Sequence, residues 1–164
     1  MCAAGAEPHI YVEVLPPDDH ALIRTMLVDL HLDEQIHYPD HPQLTRGQVE
    51  ETLDGIPARF EGENVVLAVR EGARVDGFCW CVLFDPGTGL EGEVAELFVA
   101  GDRRGGGIGE ALVRRALELF RERRVTLGYV WTRSENAVAV RTYESAGFTP
   151  NRQLVLTWYP DSPR

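Results

Sequence analysis

A cluster of glycines in the middle of the chain has the composition that points most directly to chemistry. Residues 104–109 read Arg-Gly-Gly-Gly-Ile-Gly, and glycine is conformationally costly unless the backbone turns sharply or approaches another group closely. The start of a helix carries unpaired backbone N–H groups and a partial positive charge, which together bind anions. The segment therefore predicts a phosphate cradle, to which Arg103 and Arg104 add charge. The glycines alone also fit an ordinary strand-to-helix turn.

The hydrophobic period changes across this segment. Residues 94–99 form a short apolar run with one acidic position, Glu96, which is typical of a strand. From Ile108 to Phe120 the apolar residues recur at helical spacing, which predicts an amphipathic helix. The segment lacks both the Gly-Lys-Ser/Thr end of a P-loop and the G-x-G-x-x-G pattern of a dinucleotide-binding unit. Neither of these nucleotide-binding classes is therefore expected.

Two motifs in the second half of the chain together resemble the GNAT superfamily of acyl-CoA-dependent N-acyltransferases. Residues 104–109 fit the pyrophosphate-binding pattern R/Q-x-x-G-x-G/A of that family. Residues 136–148 read NAVAVRTYESAGF, which has the family's Asn, a Tyr seven residues later and then Gly-Phe. Both motifs occur in the expected order and spacing, and the resemblance covers residues 93–148.

The resemblance implies acetyl-CoA as the acyl-donor co-substrate. The strand edge at residues 97–99 would pair with the pantetheine arm, which Asn136 would also contact. The donor-binding residues implied in this way are Leu97, Phe98, Val99, Arg104, Gly105, Gly106, Gly107, Ile108, Gly109, Asn136 and Tyr143.

Acyl transfer to an amine needs a neutral amine and a proton for the leaving thiolate. The sequence shows no Ser-His-Asp or Cys-His arrangement, so direct transfer without an acyl-enzyme is the simpler expectation. The resemblance makes Tyr143 the general acid, and a core tyrosine is the alternative. Glu96 and Glu93 lie at positions where members of the family carry an acidic base. A solvated carboxylate, with ordered water as the base, remains open for both.

The resemblance also places the acceptor against the connection between the first two helices, residues 30–45. The acceptor-binding residues expected there are His31, Asp33, Glu34, His37 and Tyr38. Carboxylates beside a tyrosine suit an ammonium group through ion pairing and cation–π contact. His37 and His41 have the spacing of metal ligands, but Pro39 breaks the helix that such a pair needs, so no metal is expected. A polar loop is the alternative for each of these residues.

Composition and charge narrow the class of protein further. The 164 residues carry a net charge of −10, and no apolar run is long enough for a membrane span. We expect one cytoplasmic acetyltransferase domain over residues 1–164, with a flexible tail at residues 1–8. Residues 1–92 hold 17 acids and 5 arginines, whereas residues 93–164 hold 9 acids and 11 arginines. This split suits an anionic cofactor and a cationic partner and argues against nucleic acid.

The pattern of elements predicts an α/β (α+β) fold in the order β-α-α-β-β-β-α-β-α-β. The central sheet is expected to be mixed and mostly antiparallel, with helices on both faces. Cys79 and Cys81 are expected as buried thiols on one strand face. The strands are predicted at residues 10–15, 64–70, 75–84, 94–99, 125–132 and 153–159. The helices are predicted at residues 20–32, 46–54, 108–120 and 135–146, with Ser134 capping the last one.

The function expected from these features is transfer of an acetyl group from acetyl-CoA to a primary amine. A cationic small molecule, such as a polyamine or an aminoglycoside-like compound, is the expected acceptor. A protein N-terminus or peptide amine is one alternative, and a non-catalytic acyl-CoA-binding regulatory module is another. No nucleic-acid or membrane partner is expected. The oligomeric state is left open, with a homodimer as the assembly to test.

Overall fold

The computed structural model describes residues 10–36, 43–53, 62–87 and 89–151. Within these residues, five strands form one sheet in chain order: β1 Glu13–Val14, β2 Glu63–Glu71, β3 Arg74–Phe84, β4 Glu91–Val99 and β5 Leu127–Val130. The four α-helices in this part of the chain are α1 Arg24–Gln35, α2 Arg46–Thr52, α3 Ile108–Glu122 and α4 Ala137–Ala146. Strands β1 to β4 pair antiparallel, and β4 pairs with β5 in parallel. This confirms the predicted mixed, mostly antiparallel sheet; the predicted strand at residues 153–159 lies outside the described residues.

The sheet is covered by helices on both faces, as the sequence predicts. Phe78, Trp80 and Val82 of β3 pack with the apolar residues of α1. The alternate residues Cys79 and Cys81, both free buried thiols, pack with α3 and α4 on the other face. Because successive side chains of a strand point to opposite faces, one strand serves two apolar cores. No helix among the described residues is long and apolar enough to cross a membrane.

Helix α3 lies directly against the sheet at Gly77. A Cβ at this position would lie 2.8 Å from Ile108 Cγ2 and 3.1 Å from the carbonyl oxygen of Phe98. Only a residue without a side chain permits this approach. Gly77 therefore sets the position of the first turn of α3, and with it the glycine-rich loop that precedes the helix.

Two of the predicted helix starts are wrong. The chain forms a 3-10 helix over Pro17–Ile23 before α1 begins, so the α-helix starts four residues later than predicted. Ser134 does not cap α4, because its hydroxyl donates to the Glu135 carboxylate. Asn136 caps the helix instead, and its side-chain oxygen accepts a hydrogen bond from the Ala139 N–H at 3.2 Å. Asparagine is the better cap here because its carbonyl reaches the third N–H of the helix.

The other boundaries follow the sequence more closely. The capping box at the start of α2 is present, with Thr45 and Gln48 bonding each other's backbone N–H groups. Helix α2 ends at Thr52, two residues before the predicted end. The β2–β3 hairpin and the start of α3 at Ile108 lie where predicted. Strand β1 is shorter than predicted and comprises two residues.

Candidate active site

A wedge-shaped gap opens in the sheet where β4 and β5 separate. The two strands pair only as far as Val94 and Val130, whereas β4 continues along β3 to Val99. A bulge lies at Ala95, since Trp80 of β3 opposes Glu96 and Cys81 opposes Val94. A bulge bends its strand and increases the local twist. Residues 95–99 of β4 thus leave β5 and border an opening in the sheet.

A cleft of about 870 Å³ occupies this opening and extends to the start of α3 and the outer face of α4. This central cleft has a volume typical of a cofactor-sized ligand. Most of the donor-binding residues expected from the sequence line it: Leu97, Phe98, Val99, Arg104, Gly105, Gly107, Ile108, Gly109, Asn136 and Tyr143. Among the expected donor-binding residues, all of which the structure describes, Gly106 alone is absent from the lining.

The glycine-rich loop presents an open helix N-terminus to the central cleft. Gly105 and Gly107 have φ of +79° and +81°, a region that residues with a side chain rarely adopt. Gly107 is the N-cap of α3 and offers no side-chain cap, so the first N–H groups of the helix lack such a partner. The loop therefore fits an anionic group.

Two arginines of the loop region have carboxylate partners. Arg103 Nε lies 3.3 Å from Asp76 Oδ1. Arg104 donates to the Val99 carbonyl at 3.0 Å and to Asp33 Oδ2 at 2.5 Å, and its guanidinium lies 5.2 Å from the Phe98 ring centroid. Arg104 thus ties the end of β4 to α1, a role that the sequence did not indicate.

Tyr143 is both part of the core and part of the cleft wall. Its side chain is 8% exposed, packs edge-on against Phe148 with ring centroids 5.9 Å apart, and lines the central cleft. Burial raises the pKa of the Tyr143 phenol well above its ordinary value, and the nearby Cys79 and Glu96 add to the rise. The phenol therefore stays protonated at neutral pH, which is the state that a general acid needs.

The two candidate bases have different surroundings. Glu96 lines the central cleft. Glu93 lies opposite Val82 and Tyr129 in the sheet and is not part of that lining. Burial raises the pKa of the Glu93 carboxyl. Of the two carboxylates, Glu96 is the one in contact with the cleft.

The acceptor side is only partly described. Asp33 lines the central cleft and also a neighbouring cavity of about 310 Å³ beside α1 and α2. His31 is exposed, and its Nδ1 donates to the Leu27 carbonyl at 2.8 Å; it is not part of either lining. The side chains of Glu34, His37 and Tyr38 lie outside the described part of the chain.

Trp131 and Arg141 are among the residues of the cleft wall that were not singled out from the sequence. Trp131 follows β5, is 58% exposed, and packs edge-on against Tyr129 with centroids 5.8 Å apart. Arg141 lies on α4 and is also exposed in the cleft wall. The position of Trp131 at the end of a predicted strand is the one signal that could have indicated it.

The family model described as "Acetyltransferase (GNAT) family" matches residues 24–148. The chain therefore belongs to the GNAT acetyltransferase family, and the resemblance carried by the two motifs is confirmed.

Among its relatives are proteins named mycothiol acetyltransferase. The one from Thermobifida fusca (strain YX) is 34% identical over 142 residues, covering 77% of this chain and 43% of that protein. The one from Thermobispora bispora is 33% identical over 120 residues, covering 68% of this chain and 39% of that protein. The chain thus spans less than half the length of these relatives.

Solved structures share the fold at low sequence identity. An integron cassette protein from the mobile metagenome of V. cholerae aligns with a TM-score of 0.71 at 18% identity, over 92% of this chain and 93% of that one. An aminoglycoside acetyltransferase from an uncultured soil metagenomic sample, in complex with trehalose, aligns with a TM-score of 0.62 at 15% identity, over 91% and 94%. Both likenesses concern the fold alone.

Proposed function

We propose that this protein transfers the acetyl group of acetyl-CoA directly to a primary amine of a cationic small molecule. The observation that carries the proposal is a single cleft that joins an uncapped, glycine-lined helix start to a gap in the sheet walled by Tyr143 and Glu96. The first feature suits a phosphate-bearing donor, and the second supplies an acid and a base within the same cleft.

The residues of the cleft fit the donor along its length. Backbone N–H groups at residues 107–109 would hold the pyrophosphate. The edge of β4 at residues 97–99 is not paired with β5, so the backbone groups on that edge are available to the amide groups of pantetheine, except the Val99 carbonyl, which accepts from Arg104. Asn136 has its side-chain oxygen engaged in capping α4, which leaves its amide N–H groups for a ligand. Bound in this way, acetyl-CoA supplies an activated acyl group as a thioester.

The side chains have complementary roles in the proposed reaction. Glu96 accepts a proton from the acceptor's ammonium group, directly or through water, and so produces the neutral amine that attacks the acyl carbon. As the new C–N bond forms, the C–S bond breaks, and the nitrogen releases its remaining excess proton to solvent, as the protonated Glu96 does afterwards. Tyr143 gives its proton to the departing sulfur and regains one from solvent. Because the raised pKa keeps the phenol protonated, the proton is available at neutral pH.

The acceptor class is supported by charge and by aromatic surface. Glu96 provides a carboxylate in the central cleft, where Asp33 is paired with Arg104, and the exposed face of Trp131 provides a cation–π or stacking surface. The relatives are named mycothiol acetyltransferase, and the structural neighbour is named aminoglycoside acetyltransferase. Both names are consistent with a small-molecule acceptor. The alternatives remain a protein N-terminus or peptide amine and a non-catalytic acyl-CoA-binding module. The expected cytoplasmic location and the homodimer stay predictions.

The test is release of free thiol from acetyl-CoA against a panel of polyamines, aminoglycosides, amino acids and peptides. We expect turnover with at least one small cationic amine that exceeds the rate without acceptor. Turnover with peptides alone would favour the second alternative. Binding of acetyl-CoA without turnover across the panel would favour the regulatory module.

Donor binding is tested separately by placing a carboxylate in the cradle. Gly107→Asp adds a side chain and a negative charge where a phosphate is expected, so acetyl-CoA affinity measured by calorimetry should fall at least about tenfold. Gly87→Asp is the matched control: Gly87 also has a positive φ, with no other atom within 4 Å of its added Cβ, and it lies outside the cleft. Equal affinity in folded Gly107→Asp and in the control would refute the cradle.

A further inference from the structure

Among the arginines that line the central cleft in the described part of the chain, one has no carboxylate partner there. Three arginines among the described residues line the cleft, namely Arg103, Arg104 and Arg141. The first two are bound to the carboxylates described above. Arg141 is exposed, and no hydrogen bond or ion pair to it is found in the described part of the chain. Its guanidinium is therefore the uncompensated cation of the cleft wall in that part.

Arg141 lines the same cleft as the glycine-rich loop. It shares a face of α4 with Val138 and Ser145, which also line the central cleft. The next residue, Thr142, contacts the first turn of α3, because a Cβ at Gly109 would lie 3.5 Å from Thr142 Cγ2. A ligand whose anionic group is held by the backbone of the loop thus shares the cleft with Arg141 on the adjoining helix.

We propose that Arg141 binds the 3′-phosphate of CoA, an inference that rests on the proposed function. Besides its pyrophosphate, the donor carries this phosphate as a monoester, with a charge of about −1.5 to −2 at neutral pH for such a group. The loop has a row of backbone N–H groups suited to the pyrophosphate. A guanidinium binds two oxygens of a monoester with two parallel hydrogen bonds.

The overall charge strengthens the need for such a contact. The chain has a net charge of −10, so a polyanionic donor approaches against a repulsive field. With Arg103 and Arg104 offset by carboxylates, Arg141 supplies the local attraction. A monoester phosphate at this position gains the charge-assisted hydrogen bonds that a donor without it lacks.

The experiment compares acetyl-CoA with acetyl-dephospho-CoA, which lacks only the 3′-phosphate. Dissociation constants are measured by calorimetry for the wild-type protein, Arg141→Met and Arg121→Met. Arg121 is an exposed arginine of α3 outside the cleft, so its variant removes the same charge elsewhere. The wild type and Arg121→Met should prefer acetyl-CoA by about tenfold or more, the value expected for a charge-assisted contact. Arg141→Met should bind the two donors with nearly equal affinity.

Three results would overturn the inference. The first is a wild type without preference between the donors, and the second is an Arg141→Met variant that retains the wild-type preference. The third is an Arg141→Met variant that binds both donors more weakly by the same factor, which would assign Arg141 to the pyrophosphate. A wild-type protein that binds neither donor would refute the proposed function itself, so the two failures are distinct. Thermal unfolding of Arg141→Met checks that the exposed substitution has left the fold intact.

Discussion

Tyr143 has the environment of a core residue, and it is the residue that we propose as the general acid. Its phenol is buried against Cys79, Cys81 and Phe148, yet it forms part of the wall of the central cleft. Burial disfavours the phenolate and so raises the pKa. A tyrosine of this kind serves as a proton donor and is poorly suited to act as a base.

Removing the phenolic proton should therefore affect the chemical step and little else. In Tyr143→Phe we expect kcat to fall by about 10²-fold, the lower end of the range for general acid–base catalysis. The dissociation constant of acetyl-CoA should change little, because the ring still packs against Phe148. Steady-state kinetics and calorimetry provide the two readouts. An unchanged kcat with chemistry rate-limiting would show that Tyr143 is only a core residue.

We expect substitution of Glu93 to change the stability of the fold and substitution of Glu96 to change the rate of catalysis. Burial raises the pKa of Glu93, so the folded state favours its protonated form. The stabilising contribution of that form is complete below the ordinary pKa and is lost as pH rises through the raised one. Glu93→Gln should therefore unfold at a higher temperature than the wild type near neutral pH, and this advantage should disappear in mild acid.

Glu96→Gln is the kinetic counterpart. Since Glu96 lines the central cleft, loss of its carboxylate should lower kcat/KM, most strongly at low pH where the acceptor is most protonated. Glu93→Gln should leave that profile unchanged. The reverse pattern, with the kinetic loss in Glu93→Gln alone, would assign the base to Glu93. Both variants are compared over the same pH range by thiol release.

At the scale of elements, the position of α3 over β3 controls the glycine-rich loop. Gly77→Ala would bring a Cβ to 2.8 Å from Ile108 Cγ2 and 3.1 Å from the Phe98 carbonyl. We expect the free energy of unfolding to fall by about 1–3 kcal/mol, the usual cost of overpacking. Acetyl-CoA affinity should fall too, because α3 and its first turn must shift away from the sheet.

Gly47→Ala is the control for this change. Gly47 lies in α2, and a Cβ there would have no other atom within 4 Å. Alanine in a helix is favoured over glycine by about 1 kcal/mol, so this variant should be more stable than the wild type. Denaturant unfolding measures both variants. Stabilisation by Gly77→Ala, as by Gly47→Ala, would mean that the contact between α3 and β3 adapts without cost.

Local patterns in the sequence predicted the elements that depend on local rules. The period change at Ile108, the capping box at Thr45 and the β2–β3 hairpin are each contained in a short window, and all three are present. The bulge at Ala95 has no comparable signal, because a strand with one extra apolar residue has the same apolar character as a regular strand. The opening in the sheet depends on that bulge and on the divergence of β5, so its shape required the structure.

Ion pairs between residues distant in the chain could not be predicted from the sequence either. Arg104 and Asp33 are 71 residues apart in the chain, yet they form an ion pair. The motif identified Arg104 as part of the donor site, and the position of Asp33 before the second helix identified it with the acceptor. Neither pattern indicates that the two side chains meet, because that contact results from α1 packing beside the end of β4. Arg141 was missed for the same reason, since exposure in a cleft is a tertiary property.

At the scale of the whole molecule, net charge differs between the part of the chain expected to bind the acceptor and the part expected to bind the donor. The first 92 residues have a net charge of −12 and the remaining 72 a net charge of +2. The glycine-rich loop, α3 and α4 belong to the second part, whereas α1 and α2 belong to the first. An acidic field over the acceptor side would raise the rate at which a polycation is captured.

Salt should therefore weaken capture of a polyamine-type acceptor. With acetyl-CoA saturating, kcat/KM for such an acceptor should fall as ionic strength rises to the physiological value, because charges are then screened over about 8–10 Å. Glu34→Gln combined with Asp40→Asn removes two negative charges from residues 30–45, the segment expected to bind the acceptor. It leaves the Asp33–Arg104 pair intact. This double variant should have a higher KM for the polycation, a weaker salt dependence and a nearly unchanged kcat.

The matched control is Glu71→Gln combined with Asp85→Asn. Both residues are exposed beside turns of the sheet, outside the central cleft, so this pair removes the same two negative charges elsewhere. If local steering operates, the control should keep a salt dependence close to that of the wild type. Equal flattening in both double variants would assign the effect to net charge alone. A best acceptor with no charge beyond its reacting amine, whose kcat/KM does not depend on salt, would contradict steering. The acidic residues 1–92 would then serve only to keep the surface solvated.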